Sequence, residues 1–350
     1  MAKKILELEN RISELENIIG ECKDNILSMK EALTRMETNE NEVIDEYRNN
    51  LVSIMHTLTR METNENEVID KYKDVRLAES LYTIVSYISN EHLINNYPEL
   101  LTDDILQKYK KLFSNLNVYK IKDKHREVHM GVCSDGGYTV IDNFEKHPNK
   151  ILYAMGIGDD VSFEKDMADL GFQVFMYDHT VDAPPTNHQN FHFIKKGLIG
   201  HHDDSLPELM TIEEMLKTNG HCDENDIFLK CDIEGFEIDV INEMPTEIII
   251  KFTEIVLELH LLTDRSKIDD IISALDKLNK THKLVHIHPN NIPRALYIGN
   301  MAISDCIELT YVRSSDYKFT KMTQYRSGKG DYPCNKDLPE RLFYYQDVKN

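Results

Sequence analysis

The stretch Ile151–Asp160, ILYAMGIGDD, decides the fold of this chain. A short apolar run, Ile151–Met155, leads into a loop with glycines at Gly156 and Gly158, and an amphipathic segment begins at Ser162. This order predicts a strand, a turn and a helix, and glycines at such a turn let a ligand approach the backbone closely. A tight turn that binds nothing would use the same residues, so the loop alone does not define a site.

The alternation of short apolar runs with amphipathic segments continues through most of the chain that follows. It predicts an α/β fold, a mostly parallel sheet with helices on both faces, in which ligands bind outside the carboxyl ends of the strands. The predicted strands are Ile151–Met155, Gln173–Tyr177, Asn190–Lys195, Asp226–Cys231, Glu254–Leu259, Lys283–His288 and Ile307–Val312. The predicted helices include Ser162–Leu170, Ile212–Thr218, Glu237–Glu243 and Ser266–Lys280.

Carboxylates follow two of the predicted strands. Asp178 ends the second strand, about twenty residues beyond the glycine loop, where a carboxylate can bind both hydroxyls of a ribose. A helix N-cap is the alternative role for an aspartate in this position. Asp232 and Glu234 follow the fourth strand and precede Gly235, and acids so placed could hold a cationic cofactor, a metal or a substrate hydroxyl.

Three segments of the chain resemble the FkbM-type methyltransferases, which use S-adenosylmethionine. Leu229–Gly235, LKCDIEG, is similar to the LKxDxEG signature of that family. Gly131–Asp142, GVCSDGGYTVID, resembles the segment that precedes the first strand in a related branch, and Tyr153–Thr180 resembles that branch's cofactor-binding half. The resemblance covers about Gly131 to Phe319.

This resemblance implies a class I methyltransferase (Rossmann-like) fold, a seven-stranded sheet whose last strand, Cys306–Val312, is antiparallel. It implies that Asp178 binds the ribose and that Gly197 and Leu198 lie along the adenine. The first strand lacks the acid that many methyltransferases carry there, so the methionine end would be held elsewhere, by Asp135–Tyr138 or Asp232. The expected cofactor-binding residues are Asp135, Gly137, Tyr138, Gly156, Gly158, Asp178, His179, Gly197, Leu198, Asp232 and Glu234.

Methyl transfer to a hydroxyl needs an aligned acceptor and a group that takes its proton. The fifth and sixth predicted strands end near His260 and His288, which we expect to lie at adjacent strand ends beside Asp232. These three residues are the expected catalytic residues, although most of the 15 histidines are expected to be structural. The same three residues could hold a divalent metal. A site rich in histidine does not suit Mg²⁺, so metal dependence is not favoured and no metal ligand is assigned.

A different pattern precedes the sheet region. Residues 5–36 place apolar side chains at alternating intervals of three and four, a heptad seam that predicts a coiled coil and self-association. The sequence LTRMETNENEVID occurs at Leu33–Asp45 and again at Leu58–Asp70, and this repeat lengthens the helix. The expected domains are a coiled coil over 1–75, a helical linker over 76–119 that packs on the catalytic domain, and the methyltransferase domain over 120–350.

Composition excludes several classes of protein. The 350 residues carry a formal net charge of −21, which disfavours binding to nucleic acid or to anionic lipid. No apolar run is long enough for a membrane span, and no secretory signal is visible, so a cytoplasmic location is expected. The six cysteines form no CxxC pair, so neither a disulfide framework nor a zinc site is expected.

The expected function is therefore S-adenosylmethionine-dependent methylation of a hydroxyl on a saccharide, such as a capsule or lipopolysaccharide precursor. Two alternatives stay open. An NAD-dependent oxidoreductase would share the doubly wound sheet, although Asp160 and Val161 stand where its third glycine would be. A catalytically inactive coiled-coil scaffold would explain the missing acid in the first strand.

Overall fold

A computed structural model of the protein describes residues 103–122, 124–293, 295–298, 301–327, 330–338, 341 and 343–346. The predicted coiled coil, the internal repeat and most of the predicted linker lie outside these residues. No helix in the described ranges is long and apolar enough to cross a membrane.

Six α-helices and seventeen strands make up the regular structure of the described residues. The helices are α1 (Asp103–Asn115), α2 (Ser162–Asp169), α3 (Ile212–Thr218), α4 (Glu237–Glu243), α5 (Thr246–Ile249) and α6 (Ile268–Thr281). The strands are β1 (Tyr119–Ile121), β2 (Glu127–Met130), β3 (Tyr138–Ile141), β4 (Ile151–Met155), β5 (Gln173–Tyr177), β6 (Phe191–Ile194), β7 (Gly197–Leu198), β8 (Leu209–Met210), β9 (Ile227–Cys231), β10 (Phe252–Leu259), β11 (His282–Pro289), β12 (Ala295–Ile298), β13 (Met301–Ser304), β14 (Ile307–Arg313), β15 (Phe319–Lys321), β16 (Gln324–Arg326) and β17 (Tyr344–Gln346).

A seven-stranded sheet lies at the centre, in the order β11-β14-β10-β9-β4-β5-β6. Strand β14 runs antiparallel to both β10 and β11, and the remaining pairs are parallel. All seven predicted strands occur in this sheet, and the antiparallel last strand is confirmed. The position of β14 corrects one expectation. Because β14 separates β10 from β11, the end of β10, before His260, and the end of β11, which contains His288, are not adjacent.

Alternation along the strands divides the apolar core between the two faces of the sheet. On one face, Ile255 and Leu257 of β10 pack in the cluster that includes side chains of α1, α3, α4 and α6. On the other face, Val256 packs with Leu152 and with Phe163 of α2. Burial of each such side chain contributes roughly 1.5–3 kcal/mol, so both layers stabilise the sheet.

Helix α1 is the described part of the predicted linker. Its buried residues Tyr109 and Leu112 belong to the main core cluster, and Lys108 binds Asp269 of α6 with an Nζ–Oδ2 distance of 2.7 Å. Helix α1 therefore packs on the layer that covers one face of the sheet.

Candidate functional site

The carboxyl edge of the parallel strands brings most of the predicted site residues together. Gly156 follows β4, Asp178 follows β5, Asp232 follows β9, and His260 follows β10. Asn290 follows β11 at the same edge, because β14 is antiparallel to both β10 and β11.

Asp178 binds the glycine loop. Its Oδ2 accepts hydrogen bonds from the backbone N–H groups of Ile157 at 3.0 Å and Gly158 at 3.1 Å. Its Oδ1 accepts from the N–H and the hydroxyl of Thr180, at 2.7 and 2.6 Å. A carboxylate has about four acceptor positions, so the protein itself uses all of them. A ribose hydroxyl would have to displace or share one of these bonds.

The glycine loop also packs directly on the end of β9. A Cβ on Gly156 would lie 1.7 Å from the backbone oxygen of Asp232, so only glycine fits. The N–H of Gly156 donates to the carbonyl of Tyr177, and the carbonyl of Gly156 accepts from the ammonium of Lys230. The loop is thus fixed by the neighbouring strands on both sides.

Lys230 is a buried cation that the sequence reasoning missed. Its Nζ lies 3.8 Å from Oδ2 of Asp232 and 3.9 Å from Oε1 of Glu164, which is buried on α2. The same Nζ lies 5.5 Å from the centre of the Tyr138 ring. Burial would lower the pKa of Lys230, but the charges of Asp232 and Glu164 outweigh it and raise the pKa. The signal in the sequence was a lysine within an apolar strand.

Tyr138 joins two carboxylates at the centre of the site. Its hydroxyl lies 3.0 Å from Oδ2 of Asp232 and 3.1 Å from Oε2 of Glu258. The hydroxyl has one hydrogen and can donate it to only one of them, so a proton on the other carboxyl completes the arrangement. Burial and the charge of Asp232 raise the pKa of Glu258, which favours Glu258 as the partner that carries the proton. Oδ1 of Asp232 is buried and accepts no hydrogen bond from the described residues.

A second group of polar side chains lies next to Glu258. Glu308 is the register partner of Glu258 across the β10–β14 pair, and it is also the register partner of His288 on β11. Nδ1 of His288 lies 3.1 Å from Oε2 of Glu308, and the thiol of Cys334 donates to Oε1 at 3.2 Å. The thiol of Cys306 donates to Oε1 of Glu258 at 2.9 Å. All five of these side chains are buried.

The turn after β9 is organised by Glu237, another residue that the sequence reasoning missed. Its carboxylate accepts from the N–H of Ile233 at 2.8 Å and from the N–H of Gly235 at 3.0 Å. Glu234 has a φ of 57°, and its side chain is 87% exposed. Glu234 is therefore available to a ligand, whereas Glu237 shapes the backbone.

His260 lies between the two glutamates of this turn. Its Nδ1 is 3.2 Å from Oε1 of Glu237, and its Nε2 is 3.5 Å from Oε2 of Glu234. Burial would lower the pKa of His260, but the hydrogen bond and charge of Glu237 outweigh it and raise the pKa to about 9. His260 is thus an imidazolium near neutral pH, and this counts against its expected role as a base.

The three expected catalytic residues do not converge on one point. Asp232 and His260 group with Glu237, whereas His288 groups with Glu308 and Cys334. The reason is the insertion of β14 between β10 and β11. The shared metal site considered for Asp232, His260 and His288 is therefore not formed.

The remaining predicted cofactor residues lie around this edge. Asp135 is exposed; partial desolvation and the charge of Asp232 raise its pKa. Gly137 packs against the carbonyl of Val132. Gly197 and Leu198 form β7, and a Cβ on Gly197 would lie 2.5 Å from Nδ1 of His179.

Comparison of the chain with protein-family models, with curated proteins and with solved structures finds no match.

Proposed function

We propose that the protein is an S-adenosylmethionine-dependent methyltransferase that acts on a hydroxyl group. The observation that carries this proposal is the carboxylate of Asp232, whose buried Oδ1 accepts no hydrogen bond from the described residues although the side chain as a whole is 22% exposed. The backbone oxygen of Asp232 contacts the glycine loop. S-adenosylmethionine carries a sulfonium and an ammonium group. A negatively charged carboxylate beside a glycine loop, at the carboxyl edge of the sheet, suits such a cofactor.

The electrostatics of the loop favour this cofactor over NAD. A dinucleotide places its pyrophosphate at the N-terminus of the helix that follows the glycine loop. Here Oδ1 of Asp160 already accepts from the N–H of Ser162 at 2.9 Å, and the N–H groups of Ile157 and Gly158 donate to Asp178. A pyrophosphate would meet the charges of Asp159 and Asp160, so the loop repels an anion.

The sheet supports the same class. A seven-stranded sheet with an antiparallel last strand is the arrangement that the resemblance to FkbM-type enzymes implies. Asp178 follows β5, and β5 pairs with β4, the strand that precedes the glycine loop. We assign it to the ribose, with a rearrangement of one of its hydrogen bonds on binding. Gly197 and Leu198 are assigned to the adenine, and Asp232 to the ammonium group of the methionine end.

The cofactor supplies an electrophilic methyl group, and the chain must position the acceptor and accept its proton. Of the three expected catalytic residues, His260 is an imidazolium and His288 is bound to Glu308, whereas Asp232 is placed to bind the cationic end of the cofactor. Lys230 and Tyr138 both contact Oδ2 of Asp232, which leaves Oδ1 for the ligand. A cationic His260 beside this carboxylate would orient the acceptor oxygen by donating a hydrogen bond from Nε2, in place of its 3.5 Å contact with Glu234.

The acceptor that we propose is a saccharide hydroxyl of a surface-glycan precursor. We propose that the protein acts in the cytoplasm and self-associates through its N-terminal heptads. The resemblance in Leu229–Gly235 supports this acceptor class. The net charge of −21 supports a partner other than nucleic acid.

Calorimetric titration of the purified chain with S-adenosylhomocysteine, and separately with NAD, tests the proposal. We expect one site for S-adenosylhomocysteine and none for NAD. Asp232→Asn keeps the shape of the side chain and should weaken binding at least about tenfold, since it removes a charge from the cationic end. Asp276→Asn on α6, where Asp276 pairs with Lys111, is the matched control. Binding of NAD alone, or equal affinity in both variants, would overturn the proposal.

A further inference from the structure

The buried side chains of His288, Glu308 and Cys334 form a cluster that the proposed methyl transfer does not use. The imidazole nitrogen, carboxylate oxygen and sulfur offered by these three residues all lie within 4.8 Å of one another. Their residues are only 2%, 7% and 6% exposed. Among the groups of potential metal ligands in the described residues, this one alone is buried at every member.

The separations fit a common ion. Zinc binds histidine nitrogen and carboxylate oxygen at about 2.0–2.2 Å and thiolate at about 2.3 Å, so tetrahedral ligand atoms lie roughly 3.2–3.8 Å apart. The observed separations are 3.1 Å from Nδ1 of His288 to Oε2 of Glu308 and 3.2 Å from Oε1 of the same carboxylate to Sγ of Cys334. Because the ligand atoms of all three residues lie within 4.8 Å of one another, side-chain rearrangement alone would bring them onto one ion.

The backbone holds these ligands in place. His288 and Glu308 are register partners on two neighbouring strands of the central sheet. Cys334 belongs to the C-terminal segment, residues 330–338. Two hydrogen bonds beside Cys334 hold this segment: the N–H of Asn335 donates to the side chain of Asn291 at 2.8 Å, and the Asn291 amide donates to the carbonyl of Asn335 at 2.9 Å. A site on rigid elements needs little reorganisation to bind.

The charges around the cluster also favour a cation. Glu258 and Glu308 are register partners and both are buried, so two carboxyl groups lie side by side away from water. A buried carboxylate is stable as an anion only when a positive charge compensates it. The nearby cations, Lys230 and His260, already contact Asp232 and Glu237. A divalent ion at Glu308 would supply the compensation.

We infer that His288, Glu308 and Cys334 bind one Zn²⁺ ion that fastens the C-terminal segment to the edge of the sheet. A ligand set with one sulfur, one nitrogen and one oxygen is typical of Zn²⁺ and not of Mg²⁺ or Ca²⁺. On binding, the Cys334 thiol loses its proton to solvent and the thiolate becomes the ligand. The sequence shows no zinc motif because the three ligands come from three separate segments.

The test is metal binding by the full chain, so it does not depend on methyl transfer. The protein is freed of metal with a chelator, and Zn²⁺ uptake is measured by calorimetry and by elemental analysis. We expect one Zn²⁺ per chain. At a hundredfold excess over the Kd, the melting temperature should rise by about 5 °C or more. Cobalt in place of zinc should give a thiolate charge-transfer band.

Matched cysteine variants locate the site. Cys334→Ser and His288→Gln should each lose zinc binding by at least about tenfold, whereas Cys222→Ser, at an exposed cysteine, should retain it. Cys306→Ser should also retain it. Near-ultraviolet circular dichroism checks that each variant is folded. The inference is overturned if the parent chain takes up no zinc, whatever the variants do. It is also overturned if zinc remains bound in folded Cys334→Ser or is lost only in Cys306→Ser.

Discussion

The carboxylate of Asp178 accepts a hydrogen bond from the backbone N–H of Gly158 at 3.1 Å, and so it fixes the loop that would contact a cofactor. Burial alone would raise the pKa of Asp178. Hydrogen bonds from Thr180 and from the loop N–H groups outweigh burial and hold the pKa below its usual range. The same carboxylate therefore shapes the loop and, in our proposal, binds the ribose.

Replacement of Asp178 by alanine should affect both stability and binding. It leaves the N–H groups of Ile157 and Gly158 without their acceptor, at a cost of roughly 2–4 kcal/mol in the free energy of unfolding. Affinity for S-adenosylhomocysteine should fall at least about tenfold. Urea unfolding and calorimetry measure the two effects.

Thr180→Val is the matched control for this variant, because it removes only the hydroxyl bond to Oδ1 of Asp178. It should cost about 1 kcal/mol and leave the cofactor affinity within a few fold of the parent value. Unchanged affinity in Asp178→Ala would show that the ribose assignment is wrong.

The two glycines of the loop should respond differently to alanine. A Cβ on Gly156 would lie 1.7 Å from the carbonyl oxygen of Asp232, so the loop or β9 would have to move. A Cβ on Gly158 has no atom within 4 Å, although its φ of 48° still disfavours alanine. We expect Gly156→Ala to lower the free energy of unfolding by about 3 kcal/mol or more, and Gly158→Ala by about 1 kcal/mol. Equal losses in urea unfolding would contradict the close contact.

The strand pattern was readable from the sequence because alternation and short apolar runs mark buried strands. Helices Ile212–Thr218 and Glu237–Glu243 begin and end at the predicted residues, and all seven predicted strands lie within the sheet. Local patterns determine these elements. The position of β14 between β10 and β11 depends on long-range pairing, which no local pattern encodes. The expected pairing of His260 with His288 failed for that reason.

The site was only partly predictable. Asp178 and Asp232 were expected to follow strands, and the structure places them after β5 and β9 at the same edge of the sheet. Lys230, Glu164 and Cys334 were missed, because each acquires its role from a partner distant in the chain. Lysine in a strand usually faces solvent, and only the folded arrangement shows that Lys230 is buried between two acids.

Buried Glu254 should make the protein less stable at alkaline pH. Burial raises the pKa of Glu254 to about 8, against a weaker opposing effect of the hydrogen bond from Ile141. A raised pKa favours the protonated form in the folded state, so this stability is present below about pH 4.5 and is lost as the pH rises through 8. Between about pH 6 and pH 9 the ionisation of Glu254 should lower the free energy of unfolding by roughly 2–3 kcal/mol.

Glu254→Gln removes this titration while it keeps the size of the side chain. Between about pH 6 and pH 9, the free energy of unfolding of this variant should fall less than that of the parent chain, as measured in urea. Glu247→Gln, at an exposed glutamate of α5, is the control and should follow the parent profile. A parallel decline in Glu254→Gln and the parent would show that Glu254 is ionised in the folded protein.

The ion pair between His286 and Asp331 should stabilise the C-terminal segment. Nε2 of His286 lies 2.8 Å from Oδ1 of Asp331, and both side chains are almost fully buried. Burial would lower the pKa of His286, but the hydrogen bonds of Asp331 and Glu127 raise it to about 9. The stabilisation is present below about pH 6.5 and is lost as the pH rises through 9. Asp331→Asn leaves a buried cation without its main partner and should cost about 3 kcal/mol near pH 7.

Glu127→Gln provides the comparison, because the Glu127 side chain is 46% exposed and its Oε2 lies 3.4 Å from Nδ1 of the same histidine. A pair of this exposure contributes about 1 kcal/mol or less. Urea unfolding measures both losses, and titration of the His286 ring by nuclear magnetic resonance should show a lower pKa in Asp331→Asn than in Glu127→Gln. If the two variants lose the same stability and His286 titrates alike in both, the buried pair does not hold the segment.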